Sequence, residues 1–395
     1  MSVTWDAARE LAYTTGRSVQ IPTEKVRVDR AVGRVAAAAL SALVPLPTTD
    51  VSAMDGWAVA GEPPWTLGDP VPMGSRPDAE PFPAGTARAI PTGAAVPAGA
   101  SGVLRAEHGR VWPGAHGTVL EPSDDAPPVS GANVRRRGDE LDAGTPLFPA
   151  GTLLTPPRVA LAAATGHDRL PVMALPRVAV LVSGDEVAAA GEPAPGTVRD
   201  ALGPVLPWLI RSAGGTTSSP AYLPDRLDDT VVALAAATVD LVVVTGGSSH
   251  GRGDQLRHAI QSSGGEMLVA SVQMRPGHPV VLALTSDRRP ILGLPGNPFA
   301  AFAAFLSFGV PLLRGALGLP LGELESVDAP EIVAQVAPTA RGNAVIVPVT
   351  WHAGAARPVE WRGSAMLRGV AEADGLLVVE AGDGAPRVRR LGLPW

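Results

Sequence analysis

Between residues 176 and 320, short apolar runs alternate with amphipathic stretches. Residues 177–182, 241–244 and 290–294 are near-continuous runs of Val, Leu and Ile. Such runs predict strands buried on both faces, as in a parallel sheet. Further strands are expected at 216–222, 267–273 and 280–284. Helical patterns fall between them, over 202–213, 228–237, 255–263 and 299–313. This alternation predicts a mostly parallel sheet with helices on both faces. Elsewhere the pattern differs. Residues 60–130 are rich in Pro and Gly, with short β runs at 87–90, 103–106 and 118–120, as in an all-β module. Near the N-terminus, Ser2 or Thr4 precedes an amphipathic helix that starts at Trp5. Residues 25–28 predict a short strand followed by an Ala-rich helix, and residues 157–165 a helix with Pro in its first turn.

The ends of the predicted strands carry the candidate chemistry. The run at 241–244 breaks into Thr245-Gly246-Gly247-Ser248-Ser249-His250-Gly251-Arg252-Gly253-Asp254. A loop so rich in glycine has many free backbone N–H groups and can wrap an anion. The first strand ends in Ser183-Gly184-Asp185-Glu186, and Asp225 follows the next. Arg275 and His278 lie in a Pro/Gly turn. The strand at 290–294 runs into Pro295-Gly296-Asn297-Pro298, where Asn297 suits an N-cap and Pro298 the first helical position. In open α/β sheets ligands bind at the carboxyl ends of strands, and a helix N-terminus there favours anions. Carboxylates suit a divalent metal such as Mg²⁺; glycine N–H groups with Arg and His suit phosphate. Each feature also has a plain structural explanation, as a turn or a cap. On spacing alone Asp55-Gly56 reads first as an ordinary Asp-Gly turn and only second as a functional carboxylate, and Thr92 lies in a simple loop. Arg135, Arg136 and Arg137 read equally as an anion-attracting group or as a salt-bridge cluster. Strand alternation would place Arg135 and Arg137 on one side.

Composition narrows the choice. A chain of 395 residues predicts two to four domains. It has no cysteine, which excludes disulfides and thiolate metal sites. The net charge of −6 disfavours wholesale nucleic-acid binding. No apolar run of membrane length and no secretory pattern is seen, so a cytoplasmic location without membrane or nucleic-acid partners is expected. Neither a Walker lysine motif nor a dinucleotide fingerprint follows the first strand. Lys25 is the only lysine, so a bound anion must be held by Arg, His or backbone.

Six segments occur in an order that marks a family. They are residues 52–59 (SAMDGWAV), 91–94 (PTGA), 133–139 (NVRRRGD), 183–186 (SGDE), 245–249 (TGGSS) and 293–298 (GLPGNP). Together, over nearly the whole chain, they resemble the molybdopterin molybdenumtransferases, the MoeA/gephyrin E-domain family. Residues 363–367 and 373–376 resemble its last β-rich domain. The resemblance implies an α/β plus β multidomain fold: a central MoeA-like α/β sheet domain of the molybdopterin-binding type, an inserted β-rich domain and a C-terminal β-barrel-like domain. The expected divisions are residues 1–22 with 174–322 for the α/β domain, 23–43 with 137–173 for a small linking domain, 44–136 for the insertion and 323–395 for the C-terminal domain.

The resemblance also implies an activity, namely insertion of molybdate into adenylylated molybdopterin with Mg²⁺ and release of AMP. It implies a homodimer in which the α/β domain of one subunit faces the inserted domain of the other, and other molybdenum-cofactor biosynthesis proteins as partners. On that model Asp55, Glu186, Asp225 and Asp254 are catalytic, and Asp185, Glu186 and Asp254 are candidate Mg²⁺ ligands. The substrate-binding set is Thr92, Ser183, Gly246, Gly247, Ser248, Ser249, Gly251, Arg275, His278, Pro295, Asn297 and Pro298. Arg135 to Arg137 would add positive field. Three departures stand out. The family's Gly-Gly-Val-Ser-x-Gly loop carries Ser248 and His250 here. Its Lys-Pro-Gly-Lys-Pro is Arg275-Pro276-Gly277-His278-Pro279, and a guanidinium fork is not an ammonium point charge. Its Asp-Ser/Thr-Asn is Asp200-Ala201-Leu202. The alternative is therefore a divergent paralogue that binds the pterin as carrier, regulator or scaffold.

Overall fold

The computed structural model describes residues 2–76, 80–246, 255–340, 342–380 and 386–394. Residues 247–254, which include Gly247, Ser248, Ser249, His250, Gly251 and Asp254, lie outside the described residues.

The central element is the strand Leu241–Thr245, buried at every position. It pairs in parallel with Arg177–Ser183 on one side and Pro290–Leu294 on the other. Thr216–Thr217 and Ala221–Leu223 extend the sheet beyond Arg177–Ser183, also in parallel. Val281–Leu284 runs antiparallel to Pro290–Leu294, and Glu266–Val269 closes that edge. Two apolar layers flank the sheet. Val178, Val180, Leu241 and Val243 face one layer with Phe299 and Phe305, while Val242, Val244 and Ile291 face the other with Leu256 and Ile260. Alternate residues of one strand thus feed opposite cores, which explains why these strands read as unbroken apolar runs.

The run predicted at 267–273 is not one strand. It breaks at Ala270, and its second half, Ser271–Arg275, leaves the α/β sheet. That half pairs in parallel with Ser2–Thr4 and with Ala344–His352. The C-terminal sheet of Ala344–His352, Gly375–Glu380 and Arg387–Leu391 is therefore built onto the N-terminus and the middle of the chain. Only this distant pairing decides where residues 271–275 belong.

Around Trp5 the N-terminal helix is locked to both neighbours. Thr4 caps it, its side chain accepting from the Ala7 amide at 3.3 Å. The Trp5 indole N–H donates to Ser307 Oγ at 3.0 Å, with Arg9 and Arg389 lying against its ring. Asp6 pairs with Arg387 and Arg389, and Arg389 also reaches Glu380. Burial holds the Arg9 pKa down to about 10, with the nearby Arg389 adding to the effect. The helix opposite runs from Pro298 to Ala316, past the predicted end near 313 and through Pro311. It continues by widening into a π turn at Phe305–Gly309. Pro311 has no N–H to donate, and the Ser307 carbonyl one turn back accepts instead from the Arg9 guanidinium at 3.4 Å. The stretch is long and apolar enough to cross a membrane, but 83% of its most apolar window is buried in the core.

The insertion forms a six-stranded sheet in the order 102–105, 56–60, 86–90, 65–68, 117–122, 109–114. Its pairings are antiparallel except that Trp65–Gly68 and Thr86–Ile90 run parallel. The Ala-rich helix expected after residue 28 does not form. Beyond a short 3₁₀ turn at Val28–Arg30, the Gly33, Ala36 and Ala37 amides donate to Leu154, Thr152 and Pro171 carbonyls. Tertiary pairing overrides the helical propensity of alanine.

Candidate active site

The carboxyl ends of the parallel strands open into a crevice of about 600 Å³. Ser183, Glu186, Asp225, Gly246, Pro295, Asn297 and Pro298 all line it, joined by Thr245, Arg199, Asp200, Leu202 and Ala365. Strand register explains this meeting. Ser183 pairs beside Leu223, and Thr245 beside Leu294, so each loop leaves the sheet at the same level.

The crevice floor is close-packed backbone. Gly246 has φ +79°, and a Cβ there would overlap the Ser183 carbonyl oxygen. Only glycine serves both demands at this position. Ser183 is buried, and its hydroxyl donates to Asp225 Oδ1 at 2.9 Å. Asp225 in turn donates its amide to Asp185 Oδ1 at 3.2 Å. Asp185 therefore works on the strand-end loop and is not among the lining residues, whereas the neighbouring exposed Glu186 is. The Asn297 side chain caps nothing in its own helix; its amide donates to Ser364 Oγ at 3.3 Å.

Asp200 is the residue that sequence reasoning undervalued. It is 7% exposed and accepts from the Leu202 amide at 2.9 Å, the Gly203 amide at 3.0 Å and the Tyr222 hydroxyl at 2.8 Å. This carboxylate shapes the 200–203 turn that forms one wall. Burial, followed by the bond to Asp200, pushes the Tyr222 hydroxyl pKa up. An Asp two and three residues ahead of free amides is a recognisable side-chain turn signal; Tyr222 gave none. Leu202, in place of a polar residue, is buried in the main core while also touching the crevice.

Arg275 and His278 stay outside this crevice, although Pro279 reaches it. Arg275 lines an adjacent cavity of about 450 Å³ with Gln335, Arg362 and Ser364. Asp55 and Thr92 sit together in the inserted domain, where the Thr92 amide and hydroxyl donate to Asp55 Oδ1 at 2.7 and 3.0 Å. Those two bonds hold the exposed Asp55 carboxyl below its usual range. The arginine run does not follow strand alternation. Only Val134–Arg135 is a strand, and the chain then turns over Asp50. Arg136 pairs with Asp50 at 2.7 Å and the Arg137 amide donates to it at 2.8 Å. Partial burial pushes the Asp50 carboxyl up, but these bonds outweigh it and the pKa is lowered. Among the described residues no three His, Asp or Glu side chains converge into a metal cage.

Family models match along the chain. A MoeA N-terminal region (domain I and II) covers residues 3–166, a probable molybdopterin binding domain 179–315, and a MoeA C-terminal region (domain IV) 335–386. Molybdopterin molybdenumtransferase 2 of Mycobacterium tuberculosis is 34% identical over 317 residues, which is 75% of each chain. The chain belongs to the molybdopterin molybdenumtransferase family. A second member, from Nostoc sp., is 33% identical over 77% of this chain and 71% of its own. A crystal structure of the molybdopterin biosynthesis MoeA protein from Pyrococcus horikosii superposes with a TM-score of 0.75 at 25% identity, covering all of both chains. The MoeA-like architecture is thus that of this molybdenumtransferase-family chain too: a central α/β domain joined to β-rich domains.

Proposed function

We propose that this chain inserts molybdate into adenylylated molybdopterin in molybdenum cofactor biosynthesis, releasing AMP. The observation that carries the reading is the crevice, where Ser183, Glu186, Asp225, Gly246 and Asn297 meet at the carboxyl ends of parallel strands. Family membership supplies the reaction class. The described lining has three acids, Glu186, Asp200 and Asp225; Asp200 is spent on its own turn and Tyr222, which leaves Glu186 and Asp225. Mg²⁺ takes one or two carboxylates and completes its shell with substrate phosphate and water. Two carboxylates without a full cage fit that kind of ion. Glu186 and Asp225 would hold it, with Asp254 from the following loop as a third candidate, while Asp185 positions Asp225 from behind. The ion, when bound, would neutralise charge at the phosphoanhydride. Ser183 fixes the Asp225 carboxylate, and the Asp200 turn shapes the wall on which the pterin lies. Gly247, Ser248, Ser249 and Gly251 would supply loop donors to phosphate. Arg275 would attract oxyanions at the neighbouring cavity that it lines, His278 would add to this from the same turn, and Arg135 and Arg137 would add field from the insertion.

A homodimer is part of the same reading. Asp55 and Thr92 are a hydrogen-bonded pair in the inserted domain and do not line the crevice of their own chain. A second subunit would bring them across it. Complementation tests this arrangement in the cytoplasmic enzyme. Asp55→Asn and Asp225→Asn should each abolish AMP release, and mixed subunits should regain a substantial part of it. Mixtures that stay inactive while exchanging subunits would overturn the shared site.

A further inference from the structure

Two short pieces of chain lie between the crevice and its neighbour, residues 362–365 and the turn from Pro276 to Pro279. Ala365 lines the 600 Å³ crevice and Ser364 lines the 450 Å³ cavity beside Arg275. Every residue from Trp361 to Met366 is exposed, but Trp361 and Met366 keep more than half of their surface covered, at 37% and 44% exposure, so apolar burial holds only the two ends of this strap. Its attachment to the α/β domain is polar. The Ser364 carbonyl accepts the Ala300 amide at 3.1 Å, and Ser364 Oγ accepts from the Asn297 side chain at 3.3 Å. Behind the strap the helix Leu367–Glu372 is anchored, with Gly369 packed against the Trp361 carbonyl and Val370 in the core. A segment fixed at its rear and tied in front by two hydrogen bonds, one of them exposed and the other from the buried Ala300, opens more readily than the sheets it joins.

We infer that Asn297 is a positioning residue that latches residues 361–366 between the two cavities, and that releasing the latch joins them into one space. The inference rests on the functional reading above for its purpose, since a reaction between a pterin nucleotide and a small oxyanion needs both reactants in one space. Its geometry stands apart from that reading. Asn297 makes no capping bond within its own helix. Removing its amide therefore breaks the tie to Ser364 and leaves the helix start unaltered.

The test is hydrogen exchange on the full chain, following the Ala300 amide and the amides of residues 363–366. Asn297→Leu should speed exchange there by roughly five- to tenfold, the factor one net hydrogen bond supplies. Asn297→Asp should keep exchange slow, because the Ser364 hydroxyl can donate to a carboxylate. Ser364→Ala should match Asn297→Leu, and the double variant should add nothing further. Unchanged exchange in Asn297→Leu, independent effects in the double variant, or acceleration spread along the whole of Pro298–Ala316 would overturn the latch. Steady-state turnover gives the second readout. Asn297→Leu should lower KM for molybdate severalfold, because the joined space is then populated more often, and Asn297→Asp should restore it, whereas a purely structural loss would lower kcat in both. A wild-type chain with the exchange pattern but no turnover would refute the functional reading and leave the latch standing.

Discussion

Replacing Gly246 by Ala tests the floor of the crevice, and the fold supplies its own control. Gly246 and Gly33 share a φ of +79°. A Cβ at Gly33 would meet nothing within 4 Å, whereas one at Gly246 would overlap the Ser183 carbonyl. The left-handed conformation alone costs a non-glycine residue about 1–2 kcal/mol. Forcing apart close-packed backbone adds about 1–3 kcal/mol. On these figures Gly33→Ala should lose about 1–2 kcal/mol and Gly246→Ala about 2–5 kcal/mol. Because the chain has several cooperative units, the losses are best read as opening free energies by hydrogen exchange. The Val180 and Val243 amides report for Gly246, and the Ala36 and Ala37 amides for Gly33. Gly246→Ala should also disturb the Ser183–Asp225 bond and raise KM for the pterin nucleotide. Equal losses at both glycines would show that the contact with Ser183 carries no weight, and the account of the floor would fail.

Other expectations follow from the same geometry. Asp200→Ala strips three donors of a buried acceptor and should cost about 2–4 kcal/mol, against about 1 kcal/mol for Tyr222→Phe, measured by denaturation of the α/β domain. Thr92→Val should return the Asp55 pKa towards its ordinary value, as an NMR titration would record. The sign follows from linkage. A carboxyl with a lowered folded pKa contributes stability above its unfolded pKa of about 3.9 and loses it as pH falls through the folded value. The inserted domain of Thr92→Val should therefore be less sensitive to acid than the wild type in that window. Deleting residues 2–4 should speed exchange across Ser271–Arg275, because the register Ser2–Ser271, Val3–Val272 and Thr4–Gln273 is lost on one edge. Unchanged exchange would mean that the C-terminal sheet alone holds that strand.

The buried strands were legible because residues with two apolar faces leave an unbroken run. The start of the helix was legible from Pro298 at its first position, whereas the expected side-chain cap by Asn297 does not form. Ser183, Glu186, Asp225 and Asn297 could be placed together because loops at one end of a parallel sheet converge. What sequence could not show was long-range pairing. Nothing local says that residues 271–275 leave one sheet for another, or that the Gly33, Ala36 and Ala37 amides go to carbonyls far along the chain. The passage of the helix through Pro311 also depends on a distant partner, Arg9. Asp200 carried a turn signal of its own, but the value of its bond to Tyr222 appears only once the sheet brings them within 2.8 Å.

The most direct measurement is AMP release from adenylylated molybdopterin by purified protein, with and without molybdate and Mg²⁺, compared with Glu186→Gln. The account predicts release that needs both additions and falls by at least about a hundredfold in the variant, as loss of a group that stabilises transition-state charge would cause. Binding of the nucleotide without release under any of these conditions would contradict it, and would make the crevice a carrier site.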